Sequence, residues 1–272
     1  MTRGTIRVVS KLIQLLSLLP RQPGDFCDRL WAIAEVRWEA AARSRRTIYR
    51  TVPTEEGIHR LGASLELDLT FWLRETALAL IETRIGEGRA SMPVDAPFGS
   101  FHNGDSLLGR ICYATARALR PMVIVETGVC YGVTSSYLLQ ALEVNRQGAL
   151  HSIDLPPLGK DAGTHVGRLI PSELRGRWTL HRGTSRRLLP GVLAGLGQVD
   201  LFIHDSLHTY RNMRDEFAAA WPSIRPGGIL ISDDVEGNGA FLELAAVGDI
   251  ACSVVFEEQG KTSLLGVAVK GR

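Results

Sequence analysis

One stretch limits the folds open to this 272-residue chain more than any other. Val123-Ile124-Val125 is a β-branched apolar run that reads as a strand buried on both faces. It closes on Glu126-Thr127-Gly128, then Val129-Cys130-Tyr131-Gly132. Residues 133–142 carry apolar side chains at helical spacing. Strand, glycine turn and helix form the opening unit of a nucleotide-binding α/β sheet. Glycine serves in such a turn because a residue without Cβ lets a ligand lie against the backbone and takes positive φ freely. The dehydrogenase fingerprint G-x-G-x-x-G is absent, because no third glycine accompanies Gly128 and Gly132. The competing reading is a strand-to-helix turn whose glycines serve packing alone.

The rest of the chain extends this unit in one direction. Beyond Pro121, strands are expected at 149–154, 177–181, 199–204 and 229–232, and helices at 210–221 and 240–247. Residues 251–257 and 262–270 read as a hairpin around Gln259-Gly260. Alternating units imply an α/β fold, a Rossmann-like doubly wound and mainly parallel sheet with helices on both faces. The hairpin would add an antiparallel C-terminal strand at its edge.

Upstream, residues 1–100 read as mainly helical. An amphipathic helix at 6–19 places Ile6, Leu12, Leu15, Leu16 and Leu19 on one face and ends at Pro20 and Pro23-Gly24. A second helix at 27–44 should turn Leu30, Trp31, Ile33 and Ala34 inward and Arg37, Glu39 and Arg43 outward. Thr54 is the expected cap of a third, and 67–85 makes a longer one broken by Gly86-Glu87-Gly88. Residues 92–100, with two prolines and a glycine, are the best linker candidate. The expected division is a helical region 1–100, acting as cap or homo-oligomer interface, and a domain 101–272. Asp105 is placed to cap the helix at 106–119.

Composition removes several functional classes. The formal net charge of +2 gives no general electrostatic case for nucleic acid, and Arg43-Ser44-Arg45-Arg46 and Arg186-Arg187 read as solvated faces. The four cysteines are scattered with no C-x-x-C pair, which suits reduced thiols in a cytoplasmic protein. The apolar stretch at 6–19 is too short to span a bilayer, so no transmembrane segment is expected.

Ligands of a doubly wound sheet sit at the carboxyl ends of its strands, and acids recur there: Glu126, Asp154, Asp205, Asp233 and Asp234. Asp154 can accept hydrogen bonds from both ribose hydroxyls of an adenosine; a helix cap is the alternative. Asp205, Asp233 and Asp234 would repel one another in one cleft unless something cationic joined them, and Mg²⁺ or another hard divalent cation is the expected answer. His208 follows Asp205 by three residues, which turns its imidazole back over the same strand end. It is the candidate general base. His204 should point to the other side of the strand and reads as structural.

Four stretches together resemble the class I S-adenosylmethionine (SAM) methyltransferases: 123–128, His151-Ser152-Ile153-Asp154, 202–210 with its D-x-x-H-x-Y signature, and Arg225-Pro226-Gly227-Gly228 through Asp233-Asp234. The pattern is most similar to the metal-dependent O-methyltransferases, in the group of macrolide-sugar and cephalosporin hydroxylase-like proteins. It covers about residues 101–270. The resemblance implies SAM as donor, a divalent metal at Asp205, Asp233 and Asp234, and His208 as base beside an acceptor hydroxyl. The cofactor-binding candidates are Glu126, Gly128, Tyr131, Gly132, Ser135, Asp154, Thr184, Ser185 and Asp205, with Glu126 facing the ammonium end. Catechol-type relatives end the fifth strand with Asp-Asn and the sugar-modifying group with Glu-Asp, whereas this chain has Asp233-Asp234. The expected activity is metal-assisted O-methylation of a small-molecule hydroxyl, on a sugar or natural product. A metal-independent methyltransferase and a noncatalytic SAM-binding scaffold are the alternatives.

Overall fold

A computed structural model describes residues 3–42, 47–93, 97–98, 106–159, 161–257 and 263–272. Helices α1 (Arg3–Leu18) and α2 (Pro23–Ala42) precede a two-residue strand β1 (Val52–Pro53) and helices α3 (Thr54–Leu65), α4 (Leu69–Trp72) and α5 (Thr76–Ala90). Helix α6 (Ser106–Leu119) leads into β2 (Val123–Thr127), α7 (Val133–Asn145), β3 (Ala149–Asp154), β4 (Trp178–Arg182) and α8 (Ser185–Leu196). Then follow β5 (Val199–His204), α9 (Tyr210–Ala220), β6 (Ile224–Ser232), α10 (Ala240–Ala245), β7 (Ile250–Glu257) and β8 (Leu264–Lys270).

The sheet has the order β1-β7-β8-β6-β5-β2-β3-β4. Strand β2 pairs in parallel with β3 on one side and β5 on the other, so the chain reverses its winding between them. Ligands of a doubly wound sheet bind at such a switch point, beyond the carboxyl ends of the strands. Strand β8 is antiparallel to both β6 and β7. It therefore lies inside the sheet and not at the edge expected from the sequence. Its residues Leu265, Val267, Ala268 and Val269 are all buried, in the two cores that lie on either face of the sheet.

Alternation along β2 divides the core. Ile124 joins Leu61, Ile81, Leu108, Ile111 and Leu138 on the face covered by α3, α5, α6 and α7. Val125 joins Leu189, Met213, Phe217 and Phe241 on the face covered by α8, α9 and α10. Helices α3 to α5 thus share one apolar core with the sheet.

The N-terminal helices depart from expectation in three places. The helix expected at 67–85 is two, α4 and α5, and α5 runs on through Gly86-Glu87-Gly88 to Ala90. Thr54 begins α3 without capping it; its hydroxyl donates to the Glu257 carbonyl instead, 3.1 Å away. Helix α2 starts at Pro23, where the first position tolerates proline, and its faces depart in part from expectation: Arg37 is exposed as expected, and Trp31, though partly exposed, lies under the Arg186 and Arg211 guanidinium groups. Leu30, Trp31 and Ile33 are exposed, and Arg29, Glu35 and Glu39 face the body. The inward partners are polar backbone groups at the sheet's carboxyl rim, which acids and an arginine can satisfy and leucines cannot. Asp105, most of the 92–100 linker and the Gln259-Gly260 turn lie outside the described residues.

Candidate active site

The opening turn is set by backbone crowding. Gly128 has φ +84°, and a Cβ there would stand 1.9 Å from the Asp205 carbonyl oxygen. Gly132, also at φ +84°, meets Ile170 and the Gly167 backbone in the same way. Close packing at both positions leaves no room for a Cβ. The same packing brings the ends of β2 and β5 together.

Around this turn the sequence-selected residues fall into three groups. Glu126 is fully buried; its Oε2 accepts from Ser135 and Ser152 at 2.7 Å each. Burial pushes its carboxyl up to about 7, against the pull of those two hydroxyls. Asp154 accepts from the Val129 N–H at 3.1 Å, and burial raises it too, opposed by the Val129 and Cys130 N–H groups, Arg182 and Arg29. Glu126 Oε1, Asp154 Oδ2 and the Thr184 hydroxyl are buried with no hydrogen-bond partner. Tyr131 and Ser185 do not join this group. The Tyr131 hydroxyl bonds the Phe98 backbone on both its N–H and its carbonyl, at 3.0 and 2.9 Å, and Ser185 bonds Glu216.

Unpaired buried acceptors at the ends of β2 and β3 fit what a SAM molecule presents there. Asp154 Oδ2 would take ribose hydroxyls and Glu126 Oε1 the ammonium, each replacing a solvation otherwise lost.

His208 stands where the acids converge. Its Nδ1 lies 3.2 Å from Asp234 Oδ2 and its Nε2 3.8 Å from Asp205 Oδ1. Nε2 is buried with no hydrogen-bond partner. Burial works against charge on this ring, but the Asp234 hydrogen bond and the charges of Asp205, Asp234 and Asp233 outweigh it and raise the imidazole to about 9. Asp205 is pushed far above the usual carboxylate range by burial and then by Asp233.

This geometry departs from the expected metal centre. The imidazole is wedged between Asp205 and Asp234, and among the described residues no three His, Cys, Asp or Glu side chains stand close enough to hold an ion. The positive charge that three acids require is supplied by His208 itself. As arranged, Asp205 and Asp234 turn their carboxylates to the two ring nitrogens of His208.

Beneath the site lies a residue that sequence reasoning missed. Glu216 is 2% exposed and accepts from Thr127 at 2.6 Å, His204 Nδ1 and Ser206 at 2.7 Å, and Asn212 at 3.0 Å. Burial alone would raise this carboxyl, but His204 and the hydroxyls, Ser185 included, hold it down at about 2. A signal was present: Glu216 shares the apolar face of α9 with Met213, Phe217 and Ala220, where an unpaired carboxylate has no place. A depressed carboxylate stabilises the fold above its unfolded value near 4.5 and loses that contribution as pH falls towards 2. The loss is expected to be about 3 kcal/mol. Denaturant titrations between pH 5 and about 2 should show this acid limb in the native chain and a flatter one in Glu216→Gln.

Helix α2 lies against this rim. Arg29 donates to the Pro156 carbonyl at 2.8 Å, Glu35 accepts from Thr209 and the Asn212 N–H, and Glu39 accepts from the Tyr210 N–H. The two acids satisfy N–H groups at the start of α9, where a helix favours negative charge.

Residues 125–235 match a family described as a methyltransferase domain. No curated protein matches the chain. Solved structures do. An O-methyltransferase of tomaymycin synthesis from Streptomyces achromogenes, solved with SAM, is 19% identical over 73% of this chain and 91% of its own, with a TM-score of 0.50. A Bacillus cereus O-methyltransferase solved with S-adenosylhomocysteine (SAH) is 17% identical over 72% and 92%, at 0.51. A Podospora anserina methyltransferase solved with SAH is 15% identical over 82% and 100%, at 0.51. The fold is the Rossmann-like fold that these SAM- and SAH-bound methyltransferases share, and residues 125–235 are the part that matches the methyltransferase-domain family. No described helix is long and apolar enough to cross a membrane.

Proposed function

We propose that the protein methylates a hydroxyl of a small molecule, such as a sugar or another natural product, with His208 as general base. The observation that carries this reading is the Asp234–His208 pair. Asp234 Oδ2 lies 3.2 Å from Nδ1 and keeps a proton on that nitrogen. Nε2 is then the nitrogen left to accept one.

SAM, when bound, supplies an electrophilic methyl group on a sulfonium. Asp154, Glu126 and Thr184 would hold it through the buried atoms that have no partner. Asp205, raised by burial and by the charge of Asp233, stands beside His208 with its Oδ1 3.8 Å from Nε2. Nε2 of His208 takes the acceptor hydroxyl proton, and Asp234 stabilises the imidazolium. Holding both reactants in line supplies much of the remaining rate.

No divalent ion enters this scheme, because the wedge of His208 between the acids takes the place an ion would need. The convergence of Asp205, Asp233 and Asp234 on His208 supports the rival metal-assisted reading. The test is methyl transfer from methyl-labelled SAM to a panel of sugars, diols and phenols, with and without EDTA. The expected rate with EDTA stays within about twofold of the control; loss of turnover restored by Mg²⁺ would establish the rival. The outward apolar residues of α1 and α2, among them Leu12, Ile13, Leu16, Ile33 and Trp38, support a homo-oligomer through the N-terminal region. Light scattering should give a mass above the 29.8 kDa of one chain.

A further inference from the structure

We infer that Glu216 and His204 are positioning residues for His208, a role that rests on His208 being the base proposed above. The loop from Asp205 to Thr209 carries that base, and it is wrapped around the Glu216 carboxylate. Oε2 holds Thr127 at the end of β2 and His204 at the end of β5, at 2.6 and 2.7 Å. Oε1 holds Ser206 at 2.7 Å and Asn212 at 3.0 Å, and Asn212 in turn donates to the Leu207 carbonyl at 2.9 Å. Every residue from 204 to 207 except Asp205 is thus tied to one carboxylate, directly or through Asn212. Asp205 is pinned by its N–H to the Thr127 carbonyl, 2.8 Å away.

His204 carries the constraint to the base itself. A carboxylate only accepts, so His204 Nδ1 donates to Glu216 and the ring orientation is fixed. That ring meets the His208 ring edge-on, with centroids 5.3 Å apart and planes at 73°. Phe217 packs edge-on against His204 at 5.5 Å. From the far side, Asn238 Nδ2 donates to the His208 carbonyl at 3.3 Å. The base is held between a ring that cannot turn and the Asp234 carboxylate. Burying an ionised carboxylate is costly, and a purely apolar contact would have served packing alone. What the acid adds is a defined direction for the loop and for the His204 ring, and through them for Nδ1 of His208 towards Asp234.

The test reads His208 directly and needs no acceptor. The full chain is labelled with ¹⁵N-histidine, and imidazole nitrogen spectra are taken at pH 10, with His208→Gln assigning the resonance. The wild type is expected to show His208 as one tautomer, protonated at Nδ1. Glu216→Gln and His204→Asn are expected to show a mixture, with the two ring-nitrogen shifts moving towards each other. His204→Asn decides the matter if the glutamine variant does not fold, because its amide keeps a donor to Glu216 and removes only the ring. Glu216→Asp should recover part of the single-tautomer signal. A single unchanged Nδ1–H tautomer in His204→Asn would overturn the positioning role. Calorimetric binding of SAH to the wild type separates this from failure of the methyltransferase reading: SAH bound with an unchanged tautomer sinks the positioning pair alone, and no SAH binding sinks the reading beneath it.

Discussion

His208→Ala is expected to lower the rate of methyl transfer by about 10²–10⁴-fold, the usual range for loss of a general base. The dissociation constant for SAH should stay within about twofold, because the buried atoms assigned to the cofactor lie on Glu126, Asp154 and Thr184. Loss of both together would mean that His208 supports the fold of the rim and not the chemistry. The pH profile carries the same signature. His208 is raised to about 9, so below that pH both ring nitrogens carry protons and Nε2 cannot accept one. kcat/KM should therefore rise with pH up to about 9, approaching tenfold per unit well below it. The sulfonium charge opposes an imidazolium, so kcat should level off at lower pH than kcat/KM does. A profile flat between pH 6 and 9 would remove His208 from the base role.

Gly128→Ala is expected to be the most damaging added methyl group among the described glycines. The added carbon would lie 1.9 Å from the Asp205 carbonyl oxygen, at φ +84°. Neither β2 nor β5 can retreat, since their registered pairs continue through Thr127 and His204. Backbone strain and overpacking together should exceed about 3 kcal/mol. In a chain of this size that is a fall in Tm of about 5 °C or more. Gly195→Ala is the matched control: it lies in α8, and its added Cβ meets nothing within 4 Å. It should leave Tm unchanged or raise it slightly. Equal thermal curves for the two variants would show that the turn is not the tight junction described.

Much of the sheet could be read from residue patterns because the signals are local. Val123-Ile124-Val125 and residues 199–204 are apolar runs that only a buried strand explains, and most observed strands fall within a residue or two of the expected ones; β6 starts five residues earlier, at Ile224, and the short β1 was not expected. The acids at their ends follow from the same registers. What could not be read depends on contacts between distant segments. The insertion of β8 between β6 and β7 is a pairing choice that no period in 264–270 encodes. The inward turn of Glu35, Glu39 and Arg29 on α2 follows from donors at the start of α9 and from the Pro156 carbonyl, which accepts from Arg29, and a helix read alone assigns leucines inward. His204 read as structural because alternation turns it away from Asp205. Alternation is silent on a loop that folds back and brings His208 beside it. The metal centre was expected from charge repulsion and from the resemblance, and the sequence does not show that the His208 imidazole stands between Asp205 and Asp234.

The account depends most on one site, at the ends of β2 and β3, receiving an adenosyl cofactor. Isothermal titration of SAH into the wild-type chain and into Asp154→Asn tests it most directly. One SAH should bind per chain, and the variant should bind at least about tenfold more weakly, the cost of a charged hydrogen-bond acceptor lost to the ribose. Absence of binding by the wild type, or equal affinity in both proteins, would contradict it.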